Sequence, residues 1–303
     1  MLSKNKYLRK LFFAVNGLLA ENHPVLCSKT AYAFARKRTL CLDPPGDLNE
    51  KFMWLKLHIY NENSMVSACA DKYTMRQYVE EKGFPELLNP LYGVWDSVEE
   101  IEYESLPERF VFKCNHGSGY NLICRKKEEW DWLRARKTLD KWMKEEYWKR
   151  SAELQYKHIQ KKILCERYLE GMNGSLPDYK VMCFYGEPQY ILYCDGREGK
   201  LRYINFSLDW QILPYNFQEP EDIIERPKHL EQMLECAKVL SREFPAVRMD
   251  FYESTEGLIL GEMTFTPAGC VGIALPREGL DYYGKKLELN KLIEKYNKKR
   301  GRV

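Results

Sequence analysis

Asp250 and Glu262 lie in two apolar runs, 247–252 and 258–265, joined by Glu253-Ser254-Thr255-Glu256-Gly257. Read as a hairpin symmetric about residue 256, the runs set Asp250 opposite Glu262 and Arg248 opposite Thr264. All four then share one face, because strand side chains alternate. Like charges placed opposite each other destabilise a strand pair, so this arrangement predicts a cation between the carboxylates. Two carboxylates completed by phosphate oxygens are a common way to hold Mg²⁺. The plainer alternative is a solvent-facing strand pair without metal, but carboxylates are depleted in strands and the runs are otherwise strongly apolar.

The string Lys113-Cys114-Asn115-His116-Gly117-Ser118-Gly119-Tyr120-Asn121 is a second constellation. Gly117 and Gly119 let backbone N–H groups approach anionic oxygens, and Ser118 and His116 add side-chain donors. Lys113, at the end of the preceding strand, adds a point charge. The string lacks a Gly-Lys-Ser/Thr ending and a strand follows it, so it is not a P-loop. A simple glycine turn competes with phosphate binding, which the Asn, His and Ser side chains favour. Lys180, in Asp178-Tyr179-Lys180, shares a strand face with Met182 and Phe184 and needs an anionic partner or a route to solvent. A ligand phosphate would serve. The segment 163–171 is an apolar strand that ends in charged residues and Gly171. It reads as a surface turn, or as a hinge whose backbone, with Glu166 and Tyr168, meets an adenine edge. Arg197, Lys200 and Arg202, near Gly196 and Gly199, suit an acidic acceptor such as a uronic acid, or form an exposed hairpin tip.

These residues need strands to hold them. Runs at 179–185, 189–195 and 201–206 read as strands, as do 109–114 and 122–125 around the glycine-bearing loop. Helices are expected across most of residues 1–70, interrupted at Asp43-Pro44-Pro45-Gly46-Asp47. Another is expected over 72–82, capped by Asp71 and stopped by Gly83. A long helical stretch is expected over 128–162, holding Trp130, Trp132, Trp142 and Trp148. Strands and helices mix without regular alternation, which predicts an α+β fold.

Composition narrows the function classes. The 303 residues carry 47 Lys and Arg against 44 Asp and Glu, a net charge of +3 that gives no global reason to expect nucleic acid. Acids interleave with the bases of 128–162, so its tryptophans read as a packed face and not as a base-stacking surface. Ten cysteines occur without a C-x-x-C pair, which predicts buried free thiols and no zinc site. No run is long and apolar enough to span a bilayer. Lys4, Lys6, Arg9 and Lys10 precede Leu11-Phe12-Phe13-Ala14-Val15 and predict an amphipathic helix. It packs on the protein or gives peripheral association with the inner face of a membrane; the expected location is cytoplasmic.

Asp71-Lys72, Lys113 with its loop, Glu166, Arg248-x-Asp250 and Glu262-x-Thr264, in that order, resemble the ATP-grasp superfamily. The strings Lys113-x-Asn115-His116-Gly117-Ser118-Gly119, Asp178-Tyr179-Lys180, Gly261-Glu262-Met263-Thr264-Phe265-Thr266-Pro267, and Asn49-Glu50-Lys51 with Trp54-Leu55-Lys56 narrow this. Over roughly residues 45–285 the chain resembles the TupA-like ATP-grasp family, named for teichuronopeptide synthesis.

The resemblance implies two α+β lobes clasping ATP behind a helical N-terminal region. The expected divisions are 1–70 (helical), 71–165 (first lobe, with the phosphate loop and a helical insertion) and 166–303 (second lobe, with the adenine hinge and Mg²⁺ site). It implies that Lys72 and Lys113 bind phosphates beside His116, Gly117, Ser118 and Gly119. Glu166 and Tyr168 would face adenine, and Asp178, with Lys180 nearby, would reach the ribose and phosphates. Asp250, Glu262 and the Thr264 hydroxyl would hold Mg²⁺. Arg248, Lys113 and His116 would be catalytic, with Arg248 on the acyl phosphate. Many ATP-grasp enzymes carry Asn where this chain has Thr264, which leaves a second Mg²⁺ open. The implied activity is ATP-dependent joining of a small-molecule or glycan carboxylate to an amine through an acyl phosphate, in capsule, teichuronic acid or exopolysaccharide synthesis. A sugar kinase, a glycosyltransferase and a non-catalytic nucleotide-binding module remain alternatives.

Overall fold

Local signals set the first helices. A computed structural model describes residues 14–171, 176–196, 201–299 and 301. The expected basic amphipathic segment falls mainly on residues 1–13 and lies outside the described residues. Helix α1 (Pro24–Arg36) has proline in its first turn, where the missing N–H is not needed. It stops at Lys37, whose backbone N–H donates to Ala33 O. Helix α2 (Leu48–Leu55) is capped by Asp47, which accepts the Glu50 N–H at 3.0 Å, and Glu50 in return accepts the Gly46 N–H at 2.9 Å. It continues as one π-turn, Lys56–Tyr60. Helix α3 (Ser64–Ala70) is capped by Asn63, and helix α4 spans Met75–Glu81. The helix expected from residue 72 therefore starts three residues later. Asp71 accepts the Tyr73 N–H at 2.8 Å and holds residues 72–74 in a turn.

Strands β1 (Leu91–Trp95), β2 (Phe110–Cys114), β3 (Asn121–Cys124) and β4 (Ile163–Arg167) form an antiparallel sheet in the order β1-β4-β2-β3. Helix α5 (Trp132–Lys144) packs on it around Phe110, Phe112, Leu139 and Cys165. The long helix expected over 128–162 is thus limited to 13 residues. Glu145 turns extended (ψ 140°), and short 3₁₀ turns follow at Tyr147–Arg150 and Leu154–Tyr156. Tertiary contacts make the break, because Glu145 accepts the Tyr120 hydroxyl at 2.7 Å and pairs with Arg150. Trp132 stacks on Tyr103 and Trp142 on Tyr120, so these aromatics serve the core.

The second antiparallel sheet contains β5 (Asp178–Phe184), β6 (Glu187–Asp195), β7 (Arg202–Phe206), β8 (Ala246–Ser254) and β9 (Gly257–Thr264), in the order β7-β6-β5-β8-β9. Helix α6 (Leu230–Ser241) buries Met233, Cys236, Ala237 and Leu240 in its core. The N-terminal helices join the same core, with Phe52, Leu55, Tyr60 and Val79 in one cluster with Val181, Val247 and Met249. Tyr78 and Lys82 bind Leu240 O and Glu243 on that side. By packing, then, residues 24–88 attach to the five-stranded sheet and 91–167 form a lobe with its own core. The architecture is α+β: two lobes preceded by helices. All ten cysteines are free, and nine are buried.

Candidate active site

The five-stranded sheet sets Lys180, Asp250 and Glu262 side by side on β5, β8 and β9, with Met182, Arg248 and Thr264 in the next row. The pairing of Asp250 with Glu262 is the expected one, reached by another route. The turn pairs Ser254 with Gly257, which would leave the carboxylates one residue out of register. A bulge at Gly261, between the Phe251–Leu260 and Asp250–Glu262 pairs, restores the opposition. A side chain at 261 would place its Cβ 2.5 Å from the Tyr252 ring, so glycine allows this close approach.

The carboxylates do not face each other bare. Arg248 grips Asp250 through two bonds, Nε to Oδ1 and Nη2 to Oδ2, each 2.6 Å. Lys180 Nζ is 2.5 Å from Asp250 Oδ2 and 3.0 Å from Asp178 Oδ2. Glu262 has Lys72 at 3.5 Å and Arg248 at 3.7 Å, and it accepts the Thr264 hydroxyl at 2.9 Å. Burial alone would raise the Glu262 pKa. The charges of Lys72, Lys180 and Arg248 instead hold it well below the ordinary carboxylate range. The expectation that only a bound cation relieves the pair is therefore corrected, because the chain supplies its own cations.

The glycine-bearing loop divides in two. Asn115 is fully buried; its Nδ2 donates to Asp71 Oδ1 (2.8 Å) and Gln160 O (2.9 Å), and its Oδ1 accepts the Lys162 N–H (2.7 Å). Gly117 lies against Tyr147, where a Cβ would come within 2.6 Å of the ring, and its carbonyl accepts Lys72 Nζ at 2.7 Å. Only Ser118 and Gly119 stand exposed at the tip. His116 is 1% exposed, and its Nε2 donates to Trp142 O at 3.1 Å. Burial, aided by nearby Lys161 and Lys72, lowers its pKa to about 4. It is neutral at pH 7 and does not line the cleft, so the expected contact with phosphate and the catalytic role are both corrected.

Between the lobes lies a cleft of about 540 Å³, lined by Lys72, Lys113, Ser118, Gly119, Asp178, Lys180, Arg248, Asp250 and Glu262 among others. Residues from both lobes thus meet in one cavity of ordinary ligand size. Lys113 Nζ donates to Glu166 Oε2 at 2.7 Å, and Asn89 Nδ2 donates to the same oxygen at 3.1 Å. Glu166 and Tyr168 do not line the cavity; Tyr168 instead carries the Arg109 guanidinium over its ring. Arg202, expected at an acidic substrate, is held by Asp195 and Asp222 and lies off the lining. Arg197 and Lys200 lie outside the described residues.

Sequence reading missed Asn89, which donates to Glu166, and Tyr190 and Tyr252, which line the cleft; these three carry no motif. Asn115, expected with His116 and Ser118 to favour phosphate binding, is instead a buried link to Asp71 and Gln160.

A hard divalent cation such as Mg²⁺ fits the oxygen donors Asp250, Glu262 and Thr264, which share one face of the β8–β9 pair. Among the described residues no three His, Cys, Asp or Glu side chains gather as a complete ligand set. Phosphate oxygens and water would complete the shell, as is usual for Mg²⁺.

Known proteins bear likenesses to this chain. Among solved structures it is similar to D-alanine--D-alanine ligase from Bacillus anthracis (17% identity, 78% of this chain and 70% of that one, TM-score 0.46). It is also similar to an L-amino acid ligase from Bacillus licheniformis (14% identity, 70% and 43%, TM-score 0.42). A third is the D-alanine-D-alanine ligase from Helicobacter pylori (13% identity, 80% and 69%, TM-score 0.42). No curated protein matches. The sequence model of the family described as TupA-like ATPgrasp matches residues 50–287, most of the chain. Its span takes in the glycine-bearing loop, the Lys180–Asp250–Glu262 row and the cleft between them, and the chain belongs to the TupA-like ATP-grasp family.

Proposed function

We propose that the protein is an ATP-dependent carboxylate–amine ligase working through an acyl phosphate. The observation that carries this reading is the row Lys180–Asp250–Glu262, with Arg248 beside it, facing Lys72 and the Ser118-Gly119 tip across one cleft. ATP, as substrate, would lie with its phosphates between these groups. Backbone N–H groups at Ser118 and Gly119, with Lys72, Lys113 and Lys180, would hold the phosphate oxygens. Mg²⁺, held by Asp250, Glu262 and Thr264, would supply charge neutralisation at the transferring phosphoryl group.

A substrate carboxylate oxygen attacks the γ-phosphorus and ADP leaves. An amine nitrogen then attacks the acyl carbon, phosphate leaves, and the nitrogen loses a proton. Arg248 would stabilise the oxygen that becomes negative in the second step. Family resemblance supports a place in capsule, teichuronic acid or exopolysaccharide synthesis, with the enzyme in the cytoplasm. No helix among the described residues is long and apolar enough to cross a membrane.

The reading is tested by ADP release from Mg²⁺ and ATP across a matrix of carboxylates and amines. A ligase releases amide, ADP and phosphate in equal amounts only when both partners are present. ADP release with a sugar alone, leaving a phosphosugar, would overturn it in favour of a kinase.

A further inference from the structure

The charges lining the cleft limit what its Arg248 end can hold. Lys72, Lys113, Lys180 and Arg248 are the basic side chains of the described lining, and each stands within ion-pair distance of a carboxylate. Asp250, Glu262 and Thr264 flank Arg248 on the β8–β9 side, while its β5–β6 side is apolar. Met182 pairs with Arg248 across β5–β8, Tyr190 with Met182 across β5–β6, and Leu192 lies one step along β6 beside Lys180. Ile273 and Ala274, from the segment after β9, also line the cavity.

This wall is fixed. Tyr190 is 2% exposed and packs on Tyr283 with ring centroids 4.4 Å apart. Asn49 Oδ1 accepts the Ile273 N–H at 3.3 Å, and Ala274 O accepts Asn205 Nδ2 at 2.9 Å. Thr266, at the start of the segment, donates to buried Glu153 at 2.5 Å.

A second carboxylate on a substrate seated here would meet Met182, Tyr190, Leu192 and Ile273. A charge buried without a partner is strongly disfavoured. Among the described residues Arg202 does not serve it, being bonded to Asp195 and Asp222 and lying off the lining. We propose that this end of the cleft binds the body of the carboxylate substrate, and that this body is aliphatic or aromatic with no second acidic group. The substrate class rests on the ligase reading above.

Hydroxylamine makes the test independent of the unknown amine. ATP and the carboxylate give acyl phosphate and ADP. The hydroxylamine nitrogen then bonds the acyl carbon, phosphate leaves, a proton is lost, and a hydroxamate results. With Mg²⁺ and ATP, 4-methylvalerate, 3-phenylpropionate and L-leucine are compared with L-glutamate and glutarate, each of which carries a second carboxylate. At least one apolar substrate should exceed both acidic ones by at least about tenfold in kcat/KM, the scale on which an apolar pocket discriminates. Faster hydroxamate formation from glutamate or glutarate would overturn the apolar subsite and leave the ligase reading standing. Saturation-transfer NMR with Mg²⁺ and a non-hydrolysable ATP analogue reads binding without turnover. Binding of 3-phenylpropionate without hydroxamate formation would support the apolar site and overturn the ligase reading. Neither binding nor turnover by any apolar compound overturns the subsite. Ile273→Arg should narrow the preference for apolar over acidic substrates by about tenfold; an unchanged preference in a folded variant counts against the proposal.

Discussion

Asp250 lies directly across the β8–β9 ladder from Glu262, and the Arg248 guanidinium reaches both, at 2.6 Å and 3.7 Å. Lys180 and Lys72 complete the neutralisation from β5 and from the turn before α4. Without ligands, then, the carboxylates stabilise buried cations and do not repel each other freely. Asp250→Asn should destabilise the protein in EDTA, because Lys180 and Arg248 lose the charge they face. Removing one partner of a buried pair typically costs about 3–5 kcal/mol. Urea denaturation measures this. A variant more stable than wild type would mean that repulsion dominates. ADP formation should also be lost.

Magnesium should govern nucleotide binding. The cations proposed to hold phosphate are engaged by Asp250, Glu262 and Glu166. ATP with Mg²⁺ should stabilise the fold by about 2.7 kcal/mol at a hundredfold excess over Kd, and ATP in EDTA by much less. Thermal melts in the two conditions decide the matter; equal shifts would exclude this coupling.

Lys113→Met should weaken Mg²⁺-ATP binding by roughly 1.5–3 kcal/mol, the usual worth of a hydrogen bond to a charged group. It should also destabilise the protein, since Glu166, 7% exposed, keeps Asn89 as its one side-chain partner among the described residues. Adding Glu166→Gln should recover stability without recovering nucleotide affinity. Calorimetric titration beside denaturation separates the two effects. Recovery of affinity in the double variant would remove Lys113 from the nucleotide site.

His116 should make stability fall with acid. Its folded pKa, about 4, lies below the unfolded value near 6.5, so the unfolded chain takes up a proton first. Stability from this group is fully present above pH 6.5 and is lost as pH falls through that window to about 4. The change is of order 3 kcal/mol. In His116→Gln this component of the pH dependence should disappear, while the Mg²⁺-ATP affinity at pH 7.5 changes little. A strong affinity loss in a folded variant would return His116 to the phosphate site.

The sequence by itself determined the short-range features. Strand alternation put Arg248, Asp250, Glu262 and Thr264 on one face, and the string at 113–121 announced a loop between two strands. The break before Leu48 and the stop near Gly83 were also readable, because turn chemistry acts within a few residues. Tertiary structure alone decided how charges are paired and which polar groups are buried. Lys180 reaches Asp250 across 70 residues of sequence, Lys113 reaches Glu166 across 53, and Asn115 reaches Asp71 across 44. The helix expected over 128–162 broke because Glu145 found Tyr120 and Arg150. His116 is buried off the cleft, with its Nε2 bonded to Trp142 O. Arg202 took Asp195 and Asp222 in place of a substrate. A charge chooses its partner by distance and solvent exclusion, and both are set only when separate strands and helices pack.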